Sequence, residues 1–164
     1  MKIKTTRFGE IEVDDTKIIE MHREILGFEG LKTFTVISQE DKGPFMWLQS
    51  LEDGSVAFVV VNPQAIKPDY EPEISDADAQ SLKLAAADDV LMLAIVTIRM
   101  DPFLVTANLR APVVINKSLK IARQIVLEDA DYSIRYNLSE NIESPEKEAQ
   151  QVKEKEAKAT VNAR

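Results

Sequence analysis

The side chains able to carry chemistry are few in this 164-residue chain, and they do not converge. It has one histidine, His22, between Met21 and Arg23, and no cysteine. Without a thiol there is no thiolate nucleophile, no disulfide and no cysteine-based zinc site. His22 sits in no hydrolase signature and reads as a surface residue. The five glycines fall in neither G-x-x-x-x-G-K-[ST] nor G-x-G-x-x-G, so no loop is shaped to cradle phosphate. Asp76, Asp78, Asp88 and Asp89 are carboxylates that a metal would use, but they lack calcium-loop spacing. They read instead as residues that cap or precede short helical turns. No catalytic residue, metal ligand or cofactor is expected.

Two segments suit contact with another polypeptide. Asp69, Tyr70, Glu71 and Glu73 set a tyrosine among carboxylates, and a large aromatic with a charged rim is a common interface anchor. These acids would attract a basic partner and repel any phosphates it carries. One such pair in high dielectric contributes only about 1 kcal/mol, so several must act together. The plainer reading is a solvated connecting loop. Asn108 and Arg110 form the second segment, ahead of Pro112, which interrupts a ladder. Arg110 either pairs with an internal carboxylate or marks, with Asn108, a polar contact edge. Phe45, Met46 and Trp47 read as core, although Met46 turned outward would suit an adaptable surface.

The elements that must position these residues are mostly strands. Alternation and turn signals predict strands over Lys2 to Arg7, Ile11 to Val13, Thr33 to Ser38, Phe45 to Leu51 and Val56 to Asn62. Further strands are expected at Val90 to Ile98, Thr106 to Asn108, Val113 to Asn116, Ala122 to Leu127 and Ser133 to Leu138. Ile18, Ile19, Ile25 and Leu26 read as short apolar anchors, and the turn from Gly27 to Leu31 as tucking Phe28 and Leu31 inward. Ser75 is positioned to cap a short helix reaching about Leu84. Strands recurring this closely predict a single antiparallel β-barrel-like or sandwich domain over residues 1–139. The runs Val56 to Val61 and Val90 to Ile98 (VLMLAIVTI) are apolar on both faces. A sheet with one wet face alternates, so both faces need cover, from a second layer of the chain or from a partner.

Composition agrees with a soluble globular protein, at 45 % hydrophobic and 29 % charged residues. The net charge of −8 opposes direct binding to nucleic acid or to an anionic membrane and favours basic partners. Residues 140–164 hold six acidic and five basic side chains and little that is apolar, and are expected to be a charged helical or disordered tail. No signal peptide or spanning segment is evident, which suggests a cytoplasmic protein.

An ordered set of motifs then resembles one family. The set runs Lys2 to Glu10 (KIKTTRFGE), Leu26 to Leu31 (LGFEGL), Phe45 to Ser50 (FMWLQS), Ala57 to Pro63 (AFVVVNP) and Asp88 to Leu91 leading into Ile95 to Thr97. It continues through Thr106 to Pro112 (TANLRAP), Val113 to Asn116, Gln124 to Leu127 and Tyr132 to Tyr136. Order and spacing from residue 1 to about 138 resemble the bacterial flagellar assembly factor FliW family. One departure is Met21 to Glu24, where the family commonly reads phenylalanine-proline-glutamate-glycine. The resemblance implies a cytoplasmic regulator that binds flagellin and also binds and inhibits the RNA-binding translational repressor CsrA. It implies partner exchange without a chemical step. The alternative is a generic small β-barrel that binds a ligand and has no flagellar role.

Overall fold

The computed structural model describes residues 1–39, 43–85, 89–128 and 131–139. Strands β1 (Lys2–Thr5) and β2 (Gly9–Glu12) form a separate hairpin, and Gly9 at φ 68° supplies its left-handed turn residue. After one 3₁₀ turn capped by Asp14 come β3 (Ile19–Met21), β4 (Thr33–Ser38), β5 (Phe45–Ser50) and β6 (Ala57–Val61). Pro63 cannot extend the ladder, but it opens the one-turn helix α1 (Pro63–Ile66), where Asn62 Oδ1 accepts from the Gln64 N–H at 3.0 Å. Helix α2 (Asp76–Ser81) starts at Ser75, whose hydroxyl accepts from the Asp78 N–H at 3.1 Å. Then follow β7 (Val90–Arg99), β8 (Leu104–Ala107), β9 (Val113–Asn116), β10 (Ile121–Gln124) and β11 (Tyr136–Asn137).

Seven strands close into a barrel in the order β7, β6, β5, β4, β3, β10, β9 and back to β7. Of the expected barrel or sandwich the structure is a barrel, antiparallel except for one parallel seam where Ile121 and Ala122 of β10 lie beside Glu20 and Met21 of β3. Strand β7 forks the sheet. Val90 to Leu93 pair with β9, whereas Val96 to Arg99 pair with β8, which carries β11 on its far edge.

Two cores result, and β7 feeds both. Leu91, Leu93 and Ile95 point into the barrel beside Phe34, Leu48, Val60 and Ile115. Val90, Met92, Ala94 and Val96 point outward, as the two-residue period of a strand requires. Their cover is a second layer from the same chain: Ile66, Tyr70, Ile74 and Leu82 from the segment carrying α1 and α2, with Leu109, Val105 and Leu138 from around β8 and β11. Each large side chain fully buried here contributes about 1.5–3 kcal/mol. Tyr70 is 1 % exposed; its hydroxyl donates to the Leu109 carbonyl at 2.7 Å and its ring meets Tyr132 edge-on at 4.7 Å. Burial raises the Tyr70 phenol pKa well above its ordinary 10.0.

Several elements differ from the sequence expectation. Strand β1 stops at Thr5 because the Thr5 hydroxyl closes the turn, donating to Gly9 O at 2.8 Å and accepting from the Phe8 N–H at 2.9 Å. Ile19–Met21 is a strand that three residues are too few to announce. Helix α2 ends at Ser81, since Lys83 is left-handed at φ 53°. Only Tyr136–Asn137 of the run Ser133 to Leu138 joins a ladder. Asp88 and the tail at 140–164 lie outside the described residues.

The β1–β2 hairpin is pinned where the chain passes Gly54. The Thr6 N–H donates to Gly54 O at 3.0 Å, and a Cβ on Gly54 would lie 1.9 Å from Lys4 O. The hairpin thereby roofs Trp47: Phe8 meets the indole edge-on at 5.8 Å and the Arg7 guanidinium lies 4.0 Å above it. Gly54→Ala should lift this roof and cost about 1–3 kcal/mol, because backbone must move. Trp47 is the only tryptophan, so a red shift and stronger quenching of its fluorescence would report the change.

Tyr70→Phe should cost about 1–3 kcal/mol near neutral pH by leaving the buried Leu109 carbonyl unpaired. The pH dependence has a definite sign. The unfolded chain loses the Tyr70 proton above pH 10 while the fold retains it, so stability contributed by Tyr70 is whole below that pH and falls above it. Chemical denaturation from pH 8 to 11 should show a shallower alkaline loss in Tyr70→Phe than in the parent.

Candidate functional site: an apolar groove at the fork of β7

The β6–β7 ladder stops at Val59 and Val96. Beyond that point Ala57 and Phe58 pair only with β5, and Thr97, Ile98 and Arg99 pair only with β8. The two strands splay, and a groove of about 680 Å³ opens between them. The loop after β3 supplies one wall through Ile25, Leu26 and Phe28; the residues just before β11 supply another through Ile134 and Arg135. Gly27 and Gly30, at φ 87° and 86°, bend that loop so that the Phe28 ring stands on Phe58 at 4.8 Å and 85°. Leu31 turns inward as expected, but Phe28 only half does.

The groove gathers much of the uncovered apolar surface. Leu26 is 76 % exposed, Phe28 36 %, Ile98 51 % and Ile134 57 %. Single exposed apolar residues are ordinary, but several converging on one concave surface mark a contact site. Leu26, expected as an anchor, and Phe28, expected to tuck inward, are corrected to exposed groove residues; Ile98 was read only as part of its apolar run, and Ile134 only as part of a strand. The available signal was length: the apolar run of β7 extends past the residues of β6 that can pair with it. The barrel interior, by contrast, is filled by side chains, and the groove is open to solvent.

The sequence-chosen residues separate into distinct places. Asn108 lines the groove, with its Oδ1 accepting from the N–H groups of Arg110 at 3.1 Å and Ala111 at 3.0 Å. Arg110 is half-buried and makes no ion pair among the described residues. Tyr70 is corrected: its ring is interior, so it cannot offer its area to a partner. Its hydroxyl instead ties the acidic segment to the Asn108–Arg110 segment through Leu109. Asp69, Glu71 and Glu73 are exposed. A hydrogen bond from Lys67 at 3.0 Å holds the Asp69 carboxyl below its ordinary range and raises Lys67. Glu71 and Glu73 therefore carry the unmatched charge. The Glu71 N–H donates to the Tyr132 hydroxyl at 3.1 Å, which fixes the loop to the second core. Asp78 lies in the first turn of α2, where its carboxylate accepts from the Ser75 hydroxyl at 3.0 Å, and it also pairs with Arg123 at 3.3 Å.

Among the described residues no group of three or more His, Asp or Glu side chains is placed to hold a metal ion. Nor is any helix among them long and apolar enough to cross a membrane.

Comparison with known proteins places this architecture. The sequence model of the FliW protein family matches residues 2–138. A flagellar assembly factor FliW from Syntrophus aciditrophicus is 50 % identical over 143 residues, covering 87 % of this chain and 90 % of that protein. One from Caldicellulosiruptor saccharolyticus is 42 % identical over 142 residues, covering 87 % and 93 %. The crystal structure of a flagellar assembly factor FliW superposes with a TM-score of 0.77 at 31 % identity, covering 87 % of this chain and all of that one. The family match spans the barrel domain, the relatives are up to half identical and the solved structure shares the fold, so the chain belongs to the FliW family.

Proposed function

We propose that this flagellar assembly factor acts in the cytoplasm by binding two proteins, flagellin and a CsrA-type translational repressor, and so couples flagellin level to flagellin synthesis. Flagellin that accumulates occupies the protein and releases the repressor; export of flagellin restores the inhibited complex. The observation that carries the binding role is the groove at the fork of β7, where Leu26, Phe28, Ile98 and Ile134 stand uncovered. Apolar surface of this kind is satisfied by another polypeptide. Its relatives are named for flagellar assembly, which supports a protein of the flagellum as the polypeptide that occupies the groove.

The repressor is assigned to the acidic face at Glu71 and Glu73, with Asp69 beside them. An RNA-binding protein presents cationic surface, and the net charge of −8 favours its approach. Carboxylates placed there also oppose the phosphates of a bound message.

The variant Ile98→Asp with Ile134→Asp changes two exposed positions, so folding should be nearly unaffected. In titration calorimetry it should weaken flagellin binding by tenfold or more, by burying charge at an apolar contact, on the order of 2 kcal/mol. Unchanged flagellin affinity would remove the groove from the flagellin site.

Repressor binding should instead weaken as salt rises, and Glu71→Lys with Glu73→Lys should weaken it about tenfold further at low salt. Flagellin binding should respond less to salt. Repressor affinity indifferent to both salt and charge reversal would exclude the acidic face.

A further inference from the structure

The groove carries charge of the opposite sign to the rest of the molecule. Within a chain of net charge −8, the only ionisable side chains lining it among the described residues are Arg99 and Arg135. Both are exposed, and neither is in an ion pair among the described residues. A guanidinium offers a planar fork of donors suited to carboxylate. Two such forks on an apolar groove select a partner that is both apolar and acidic.

The backbone adds a second constraint. The Asn108 N–H donates to Ile95 O at 2.9 Å, so odd-numbered residues of β7 aim their backbone groups toward β8 and even-numbered ones toward β6. Ala94 and Val96 meet Val61 and Val59 on that side, but Ile98 has no ladder partner there. Continuing the register would bring it to Ala57, which has splayed away. A strand edge left open in this way accepts an extended peptide as an added strand.

The geometry points to an extended apolar segment bearing an aspartate or glutamate as the occupant of this groove. It pairs through its backbone with β7 at Ile98, sets alternate side chains against Phe28, Ile98 and Ile134, and brings its carboxylate to Arg99 and Arg135. This assignment rests on the reading of the groove as a partner site and adds the conformation and charge of what enters it. It also separates the two surfaces by sign: a basic partner is repelled from the groove and drawn to Glu71 and Glu73, while the acidic segment is steered the other way.

The test is selection of random dodecapeptides, displayed on phage, against the full chain. Enriched peptides should carry an acid beside apolar residues at a spacing of two, and a synthetic copy should shift the amide resonances of Thr97 to Arg99. Arg99→Glu with Arg135→Glu should weaken that copy about tenfold. A copy with glutamine in place of its acid should bind less tightly and ignore the charge reversal. Enrichment of basic peptides, apolar spacing of three and four, no enrichment, or indifference to the charge reversal would each overturn the assignment. Flagellin calorimetry on Ile98→Asp with Ile134→Asp separates the levels. Lost flagellin binding together with failed peptides rejects the extended acidic segment and keeps the groove as a partner site; unaffected flagellin binding together with failed peptides rejects both, and unaffected flagellin binding with the expected peptides keeps the segment and rejects flagellin as its source.

Discussion

The structure depends on one strand that is apolar on both faces. Val90 to Val96 of β7 offer water no polar side and must be covered twice, and they obtain both covers from their own chain. The inner cover is the barrel, which sets the closed order of seven strands. The outer cover is the segment bearing α1 and α2 together with β8 and β11, which explains why a barrel of this size carries a second core. Both covers thin out toward the C-terminal end of β7, after β6 has splayed away and before the hairpin to β8. The groove lies where that one strand outlasts its neighbours.

The same constraint arranges the charges. The acidic loop is held by buried chemistry beneath it: Tyr70 anchors to Leu109, Tyr132 receives the Glu71 N–H, and the two rings pack on each other. Glu71 and Glu73 are thus presented on a firm base, which limits the conformational entropy lost when a partner arrives. Lys67 cancels part of the charge at Asp69, so the effective face is narrower than the run of carboxylates suggests. The groove, with its two arginines, is the electrostatic inverse of that face.

Much of this fold was legible in the sequence. The all-β barrel followed from strand spacing, and the need for two covers followed from VLMLAIVTI. The cap at Ser75 used a rule that acts within a few residues. What escaped was set at long range. Ile19–Met21 is a strand because β4 pairs with it on one side and β10, a hundred residues later, on the other. Tyr70 sat among carboxylates and read as exposed, but its ring is drawn inward by Leu109 and Tyr132, neither of which is near it in the chain. The groove escaped for the same reason: Leu26, Ile98 and Ile134 come from three separate segments, and nothing within any one of them places the others beside it.

The parallel seam between β3 and β10 has a consequence for how this protein comes into being. Closure requires Ile121 and Ala122 to reach Glu20 and Met21, so the barrel stays open until nearly the whole domain has left the ribosome. Until then β3 presents a free edge and the barrel lining is wet, the condition in which nascent β-proteins associate wrongly. Closure of the barrel is therefore late in the growth of the chain and carries the entropy cost of joining segments a hundred residues apart.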